Sequence, residues 1–522
     1  MPLARFNLST LVDRNLDVGR GERTAFHCGD EQVTYADVFR RMCAMGRALR
    51  ALGVRREERV LLALDDSPDF VTAFLGTLRV GAVPVPVNPR SRIGDFRFFA
   101  EDSYAKAVVA EAGLGEALSA ALGRSGVRVI EAAGAERGDA ALCLPELLDA
   151  HDGELPALDT HGEDVAFWLY SSGSTGRPKG VVHLQRDAVA TCRRYAGQVL
   201  GATQQDLHFS STKLFHAYGL GNGLTFPLWH GGSAVLMRGR PTPEAVLDTV
   251  ERFRPTLFFS VPTLYSAMLR TPQARRRDLS SVRLCVSAAE PLPATVWHAW
   301  HDTHGLAILD GVGSTEMLHI YCSNSPGAER PGSSGKAVPG YEIKLVDSDG
   351  RTPRGAGRGE MYVRGPSTLA RYWHRQESTR ACLQGDWYRT GDRYRVDEDG
   401  YHWFEGRDDD MIKIGGLWVA PTEIEDVLLD HPRVLEAAVV GVRQPDGLSR
   451  VKAFVVPLDA APGTYPEGAD DLADQLRHWC KERLQRYQFP HAVEFVGELP
   501  KTATGKVRRF ELRAWGIDRT VA

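Results

Sequence analysis

The apolar positions follow three rhythms along the chain. Residues 35–52 and 69–80 carry apolar side chains at helical spacing, whereas 59–64 and 83–87 are short apolar runs bounded by Gly or Pro. Further short runs at 107–110, 165–170, 233–237, 257–260 and 284–287 continue the alternation, which predicts parallel sheets covered by helices. From about residue 340 the stretches shorten, as in YEIKLVDSDG and GEMYVRGP, and Gly and Asp punctuate them, which predicts antiparallel, β-barrel-like structure. After GRDDD at 406–410, a helix over 422–429, strands near 435–442 and 451–456 and a helix over 469–486 make a compact α+β unit. The expected architecture is therefore α/β: a large N-terminal domain over residues 1–408 and a small α+β C-terminal domain over 409–522.

Composition narrows the class. A chain of 522 residues is too long for one core and calls for several folding units. Apolar residues make up 43% and charged residues 25%, enough material for packed cores. The net charge of -4 with interspersed signs leaves no basic stripe for a phosphate backbone, so nucleic acid is not an expected partner. The opening MPLARFNLSTLVDRN lacks a signal-type apolar run, and no stretch is apolar for 18 residues, so the expectation is a cytoplasmic protein without a membrane segment. Eight scattered cysteines read as reduced, packed thiols. His298, His301 and His304 are spaced for one helix face, but Trp297 and Trp300 between them favour an amphipathic surface over a zinc site.

The most informative segment is FWLYSSGSTGRPKGVVH, residues 167–183, where an apolar strand enters a loop dense in Gly, Ser and Thr that Lys179 closes. Small residues let backbone N–H groups and the hydroxyls of Ser171, Ser172, Ser174 and Thr175 surround phosphate oxygens while Lys179 supplies charge. Alone, SSGSTG would read as a flexible polar loop, and the spacing is not that of a Walker A loop. The full string with RPKG resembles the signature of the adenylate-forming superfamily of acyl-CoA synthetases, adenylation domains and luciferases.

The resemblance runs through nearly the whole chain. It implies ATP, Mg²⁺ and coenzyme A as ligands, with Ser171, Ser172, Gly173, Ser174, Thr175 and Lys179 around the phosphates. SAAEPLP, 287–293, resembles the segment that packs on adenine, which puts Ala289, Glu290 and Pro291 there. DGVGSTEM, 310–317, resembles the adenine and magnesium motif: Asp310 and Gly311 at adenine, Thr315 at the α-phosphate, Glu316 on Mg²⁺. Val312 stands where the family often has an aromatic residue. In 387–416 the match implies Asp392 on the ribose hydroxyls, Arg407 beside ribose and phosphate, Asp409 as the hinge of a mobile C-terminal domain, and Gly415 and Gly416 along the pantetheine tunnel. LPKTATGKVRR, 499–509, implies Lys506 as the adenylation lysine.

KLFHAYGLGN, 213–222, lies where the family places its acid pocket, with His216 as a gate residue near the reacting carboxylate and Ala217 and Tyr218 as walls of a flat slot. GSTEMLHIYCSN, 313–324, is closely similar to benzoate-CoA ligases, which implies Gly313, Ser314, His319 and Ile320 around an aromatic acid. His216, where benzoate ligases often have Phe, and different residues at Tyr321 and Cys322 make the slot more polar. The expected activity is ATP-dependent ligation of benzoate or a substituted benzoate, anthranilate first and hydroxybenzoates next, to coenzyme A. The alternatives are a stand-alone enzyme loading an acyl carrier protein, a luciferase-type oxygenase, and a non-catalytic nucleotide binder. Monomer and homodimer both remain open.

Overall fold

A computed structural model describes residues 5–123, 125–132, 141–171, 177–271, 274–353, 355–407, 410–414, 417–443, 449–458, 468–485, 488–501 and 507–518. The runs LFFS and LCVS are apolar on both faces, the pattern of strands covered on both sides. They form Leu257–Ser260 and Leu284–Ser287, adjacent parallel strands in a nine-stranded sheet. Its order is Lys336–Ala337, Ile320–Ser323, Ile308–Gly313, Leu284–Ser287, Leu257–Ser260, Leu207–Ser210, Ser233–Val235, Thr24–Cys28 and Glu31–Thr34. The strands from Ile308–Gly313 to Thr24–Cys28 are parallel, and antiparallel pairings flank them on both sides. A second sheet, Val83–Pro86, Arg59–Ala63, Ala105–Ala110, Arg128–Glu131 and Leu142–Cys143, is parallel throughout.

Local signals start the covering helices. Thr34 and Asp37 form a reciprocal capping box at the head of Tyr35–Ala51. Ser67 Oγ accepts from Phe70 N at 3.2 Å ahead of Pro68–Arg79, and Pro68 occupies the first turn, where its missing N–H costs nothing.

One expectation is corrected. The 165–170 run belongs to neither parallel sheet: Val165–Ser171 pairs antiparallel with Lys179–Leu184, which in turn pairs with Arg371–Tyr372. The short 172–178 connection cannot supply the crossover of roughly a dozen or more residues that a parallel pair needs. Two π-helices, Cys192–Gly197 and Gly221–Thr225, had no signal in the sequence.

After residue 340, Glu342–Val346, Gly357–Arg364, Leu383–Gln384, Trp387–Val396 and His402–Arg407 form a five-stranded antiparallel sheet. Towards the C-terminus, Val434–Arg443, Ser449–Pro457 and Ala492–Phe495 form a separate three-stranded sheet. Leu472, Leu476 and Cys480 of Ala469–Arg483 and Ile424 and Leu428 of Pro421–Leu429 are buried in its core. Eight free thiols are present. His298, His301 and His304 lie on Ala294–His304, beside or stacked on Trp297 and Trp300. No helix among the described residues is long and apolar enough to cross a membrane.

Candidate functional site

The hairpin of Val165–Ser171 and Lys179–Leu184 sets one wall. Its register places Ser171 opposite Lys179. Ser172, Gly173, Ser174 and Thr175 lie outside the described residues. Lys179 Nζ sits 5.2 Å from the centre of the Tyr372 ring, and the Tyr372 hydroxyl donates to Glu316 Oε1 at 2.9 Å. Lysine charge and buried carboxylate are thus bridged by one tyrosine, and Glu316 is 8% exposed.

The turn Thr315–Met317 is fastened carbonyl by carbonyl. His183, from the hairpin itself, meets the Thr315 carbonyl through Nε2 at 2.7 Å and Asp187 Oδ2 through Nδ1 at 3.0 Å. Leu369 N donates to the Glu316 carbonyl at 2.7 Å, and Ser367 Oγ to that of Met317 at 2.7 Å. Ser314 caps the turn, its Oγ accepting from Met317 N at 3.3 Å. Upstream, Gly313 and Gly311 permit a close hairpin: a Cβ on Gly313 would lie 2.7 Å from the His319 carbonyl oxygen, and one on Gly311 2.8 Å from that of Cys322.

Asp310 is 4% exposed in the Ile308–Gly313 strand, in register with Ser287. Burial drives its carboxyl well above the usual range, with the Ser287 hydroxyl acting the other way. Its Oδ1 has no hydrogen-bond partner among the described residues. The adjoining 288–291 loop holds Ala289 at φ 79°, left-handed backbone that a residue with a Cβ rarely adopts. Glu290 beside it is half-buried and Pro291 exposed.

Tyr218 and His319 meet from opposite segments. Tyr218 donates to the Val286 carbonyl at 3.3 Å and lies edge-on to Phe259. The His319 ring, 3% exposed, is enclosed by Tyr195, Tyr218 and Phe226 at 5.2, 5.4 and 4.6 Å, with Nε2 3.0 Å from Asn222 Oδ1. Burial lowers its pKa to about 3, so the ring is neutral. His216 is half-buried at the head of Ala217–Leu220, against Phe215, and Ala217 and Ile320 are buried.

On the antiparallel sheet, Asp392 and Arg407 are register partners, and Arg407 Nη1 donates to Asp392 Oδ1 at 2.8 Å. The two are already an ion pair, so any ligand at Asp392 has to share the carboxylate with Arg407. Asp409, Gly415, Gly416 and Lys506 lie outside the described residues. Lys501 and Val507, which flank Lys506, form an antiparallel bridge, and Arg508 N donates to the Pro500 carbonyl at 2.8 Å.

Among the described residues a cavity of about 950 Å³ opens elsewhere, between Arg41, Pro68, Leu148, Arg238 and Phe253, and contains none of these groups. Of the described motif residues, Lys179 and Glu316 both meet Tyr372, and Tyr218 meets His319 three positions after Glu316. Tyr372, His183, Tyr195 and Asn222 were missed by the sequence reading. His183 ends the 167–183 string and Asn222 the 213–222 string, so both had a signal, but Tyr195 and Tyr372 belong to no motif.

Comparison with known proteins places the chain in a family. The family model "AMP-binding enzyme" matches residues 13–373, and "AMP-binding enzyme C-terminal domain" matches 423–506. The chain is 43% identical to a benzoate–CoA ligase of Thauera aromatica over 98% of its own length and 96% of that protein. It is 40% identical to an anthranilate–CoA ligase of Pseudomonas aeruginosa over 87% of this chain and 86% of the relative. The crystal structure of the anthranilate CoA ligase AuaEII in complex with anthranoyl-AMP superposes with a TM-score of 0.93 at 38% identity, covering 100% of this chain and 99% of that one.

Proposed function

The chain belongs to the AMP-binding enzyme family, and from that premise we propose that it is an AMP-forming aryl-CoA ligase acting on benzoate or a substituted benzoate. The observation that carries the reading is the convergence of Lys179, the Tyr372–Glu316 pair and the tethered Thr315 turn next to an aromatic niche formed by Tyr218 and His319.

In the first half-reaction a carboxylate oxygen attacks the α-phosphorus of ATP. An O–P bond forms, the bond to the bridging β-oxygen breaks, and pyrophosphate leaves. Little covalent work falls to the protein, so positioning and charge neutralisation dominate. Lys179 and the 171–175 loop hold phosphate, Thr315 contacts the α-phosphate, and Lys506 neutralises charge at the reacting carboxylate. The buried Asp310 Oδ1, an acceptor without a donor, fits the adenine amino group. Asp392 and Arg407 bind the ribose side. Glu316 would supply one hard carboxylate to an Mg²⁺ ion at the phosphates, and that ion would neutralise phosphate charge there.

In the second half-reaction the CoA thiolate attacks the acyl carbonyl and AMP leaves. The thiol must approach the carbonyl that Lys506 approached, so the C-terminal domain, residues 409–522, turns about Asp409 and brings Gly415 and Gly416 alongside the pantetheine arm. His216 gates the carboxylate, and Gly313, Ser314 and Ile320 complete the acid slot. Neutral His319 with Asn222 and Tyr195 behind it makes the slot polar, which favours an amino- or hydroxy-substituted ring. A panel in which benzoate exceeds every substituted acid about tenfold in kcat/KM would remove that preference.

The test incubates the protein with ATP, Mg²⁺ and benzoate, anthranilate, hydroxybenzoates, cinnamate or hexanoate, with and without CoA, and identifies products by mass. Aryl-CoA supports the ligase and names the acid. Aryl-AMP that accumulates with CoA present points to a carrier-protein thiol, and no adenylate with any acid defeats the proposal.

A further inference from the structure

The loop carrying His216, Ala217 and Tyr218 is held from the other parallel sheet. Asp65 and Asp66 follow the Arg59–Ala63 strand and are 6% and 3% exposed. Asp66 Oδ1 accepts from Leu214 N at 2.8 Å. Asp65 Oδ1 lies 3.0 Å from Lys213 Nζ, and Lys213, 6% exposed, also donates to the Met237 carbonyl. Asp65 Oδ2 accepts from Gly239 N and from Arg90 Nη2, each at 2.8 Å. Two buried carboxylates and a buried ammonium therefore meet at one point between the sheets. Such clusters carry desolvation costs of several kcal/mol per ion and often add little to stability, so their use lies elsewhere, in fixing one arrangement.

What they fix is the acid loop. His216 N donates to the Lys213 carbonyl at 3.0 Å, and a Cβ on Gly219 would collide with the carbonyl oxygens of Thr212 and Lys213. The backbone from 212 to 219 is coiled too tightly to absorb a shift at 213 or 214, so such a shift reaches His216 and Tyr218. We propose that Asp65, Asp66 and Lys213 are positioning residues that hold the aromatic-acid loop and thereby set the KM for the acid. The proposal rests on reading residues 213–218 as the acid pocket. The cluster touches that loop and not the Lys179–Glu316 side, so the KM for ATP is independent of it.

A pH dependence follows. Burial pushes the Asp66 carboxyl up to about 7, Lys213 opposes this, and Asp65 and Arg90 are the other charges facing it. At higher pH Asp66 is charged, which strengthens its acceptance from Leu214 N and adds to the attraction on Lys213, itself paired directly with Asp65; on protonation both weaken, so the acid KM of the wild type rises from about pH 8 to about pH 6.

ATP–pyrophosphate exchange at both pH values, with anthranilate or benzoate as the acid, tests this on wild type, Asp66→Ala, Asp66→Asn and Lys213→Met. Asp66→Ala and Lys213→Met are expected to raise the acid KM by about tenfold or more with the ATP KM within about twofold, the size expected from a small misplacement. Asp66→Asn keeps the oxygen that Leu214 N needs but cannot ionise. It is expected to recover part of the loss in Asp66→Ala and to show a flat acid KM between the two pH values. Acid and ATP KM rising together, an unchanged acid KM in folded Asp66→Ala or Lys213→Met, or matching pH profiles for wild type and Asp66→Asn would each overturn the proposal. If Asp66→Ala does not fold, the Asp66→Asn profile decides. A wild type that forms no adenylate with any acid removes the functional reading and this proposal with it, an outcome distinct from an active wild type whose variants behave alike.

Discussion

Lys506 and Tyr372 act on the same reaction but differ in how they can be found. Lys506, the proposed adenylation lysine, stands in a string whose order after the phosphate loop is diagnostic. Its replacement by Ala is expected to slow ATP–pyrophosphate exchange by about 10² to 10³, the usual loss for one charge-assisted contact to a transition state. Thioester formation from supplied aryl-AMP falls much less, and running the two assays side by side checks this. Tyr372 has no motif, because its role is to reach a carboxylate 56 positions away, with its hydroxyl on Glu316 Oε1 at 2.9 Å. A hydrogen bond to a charged group contributes about 1.5 to 3 kcal/mol. Tyr372→Phe is therefore expected to raise the KM for Mg²⁺·ATP about tenfold or more while leaving the KM for the aromatic acid in place, as exchange kinetics at varied ATP would show. The pairings of Asn222 with His319 and of Asp66 with Leu214 are illegible for the same reason: short-range pattern carries no record of a partner in another segment.

Elements were read well where one periodicity ran without competition, as in Tyr35–Ala51 and the strands Leu257–Ser260 and Leu284–Ser287. The apolar run at 165–170 looked the same as those strands, yet its partner is the antiparallel Lys179–Leu184. An apolar run records burial, and burial does not say which sheet does the burying. The π-helices Cys192–Gly197 and Gly221–Thr225 were invisible because they differ from α-helix by one inserted residue and have no composition of their own. The Ile308–Gly313 and Ile320–Ser323 hairpin offers a test at this scale. Gly313→Ala places a Cβ 2.7 Å from the His319 carbonyl oxygen, a backbone atom that cannot swing aside. Overpacking of this kind costs about 1 to 3 kcal/mol. Because Ser314 and Thr315 follow directly, a weaker ATP affinity is expected along with a lower urea midpoint; unchanged values for both would show that the hairpin yields.

Across the whole molecule, buried titratable groups tie stability to pH. His208 lies fully buried in the central sheet against Phe259, and burial lowers its pKa to about 3. Below about pH 6.5 the unfolded chain binds a proton there that the folded protein refuses, so this contribution falls as pH falls. Relative to His208→Phe, the wild type is expected to lose about 1.4 kcal/mol per pH unit between about pH 6 and pH 4, checked by urea unfolding of both proteins across that range. The amino-acid sequence by itself determined the class of elements, the phosphate loop and the ordered motifs, because propensity, periodicity and ligand chemistry act over a few neighbouring residues. Tertiary structure alone decided which sheet received the 165–171 strand, that Asp392 is paired with Arg407, and that Tyr372, His183, Asn222 and the Asp65–Asp66–Lys213 cluster stand behind the site. Apart from the hairpin pairing and Asp392–Arg407, those contacts join residues far apart in the chain, and hydrogen bonds and ion pairs depend on distances that only the packing of the elements against one another sets.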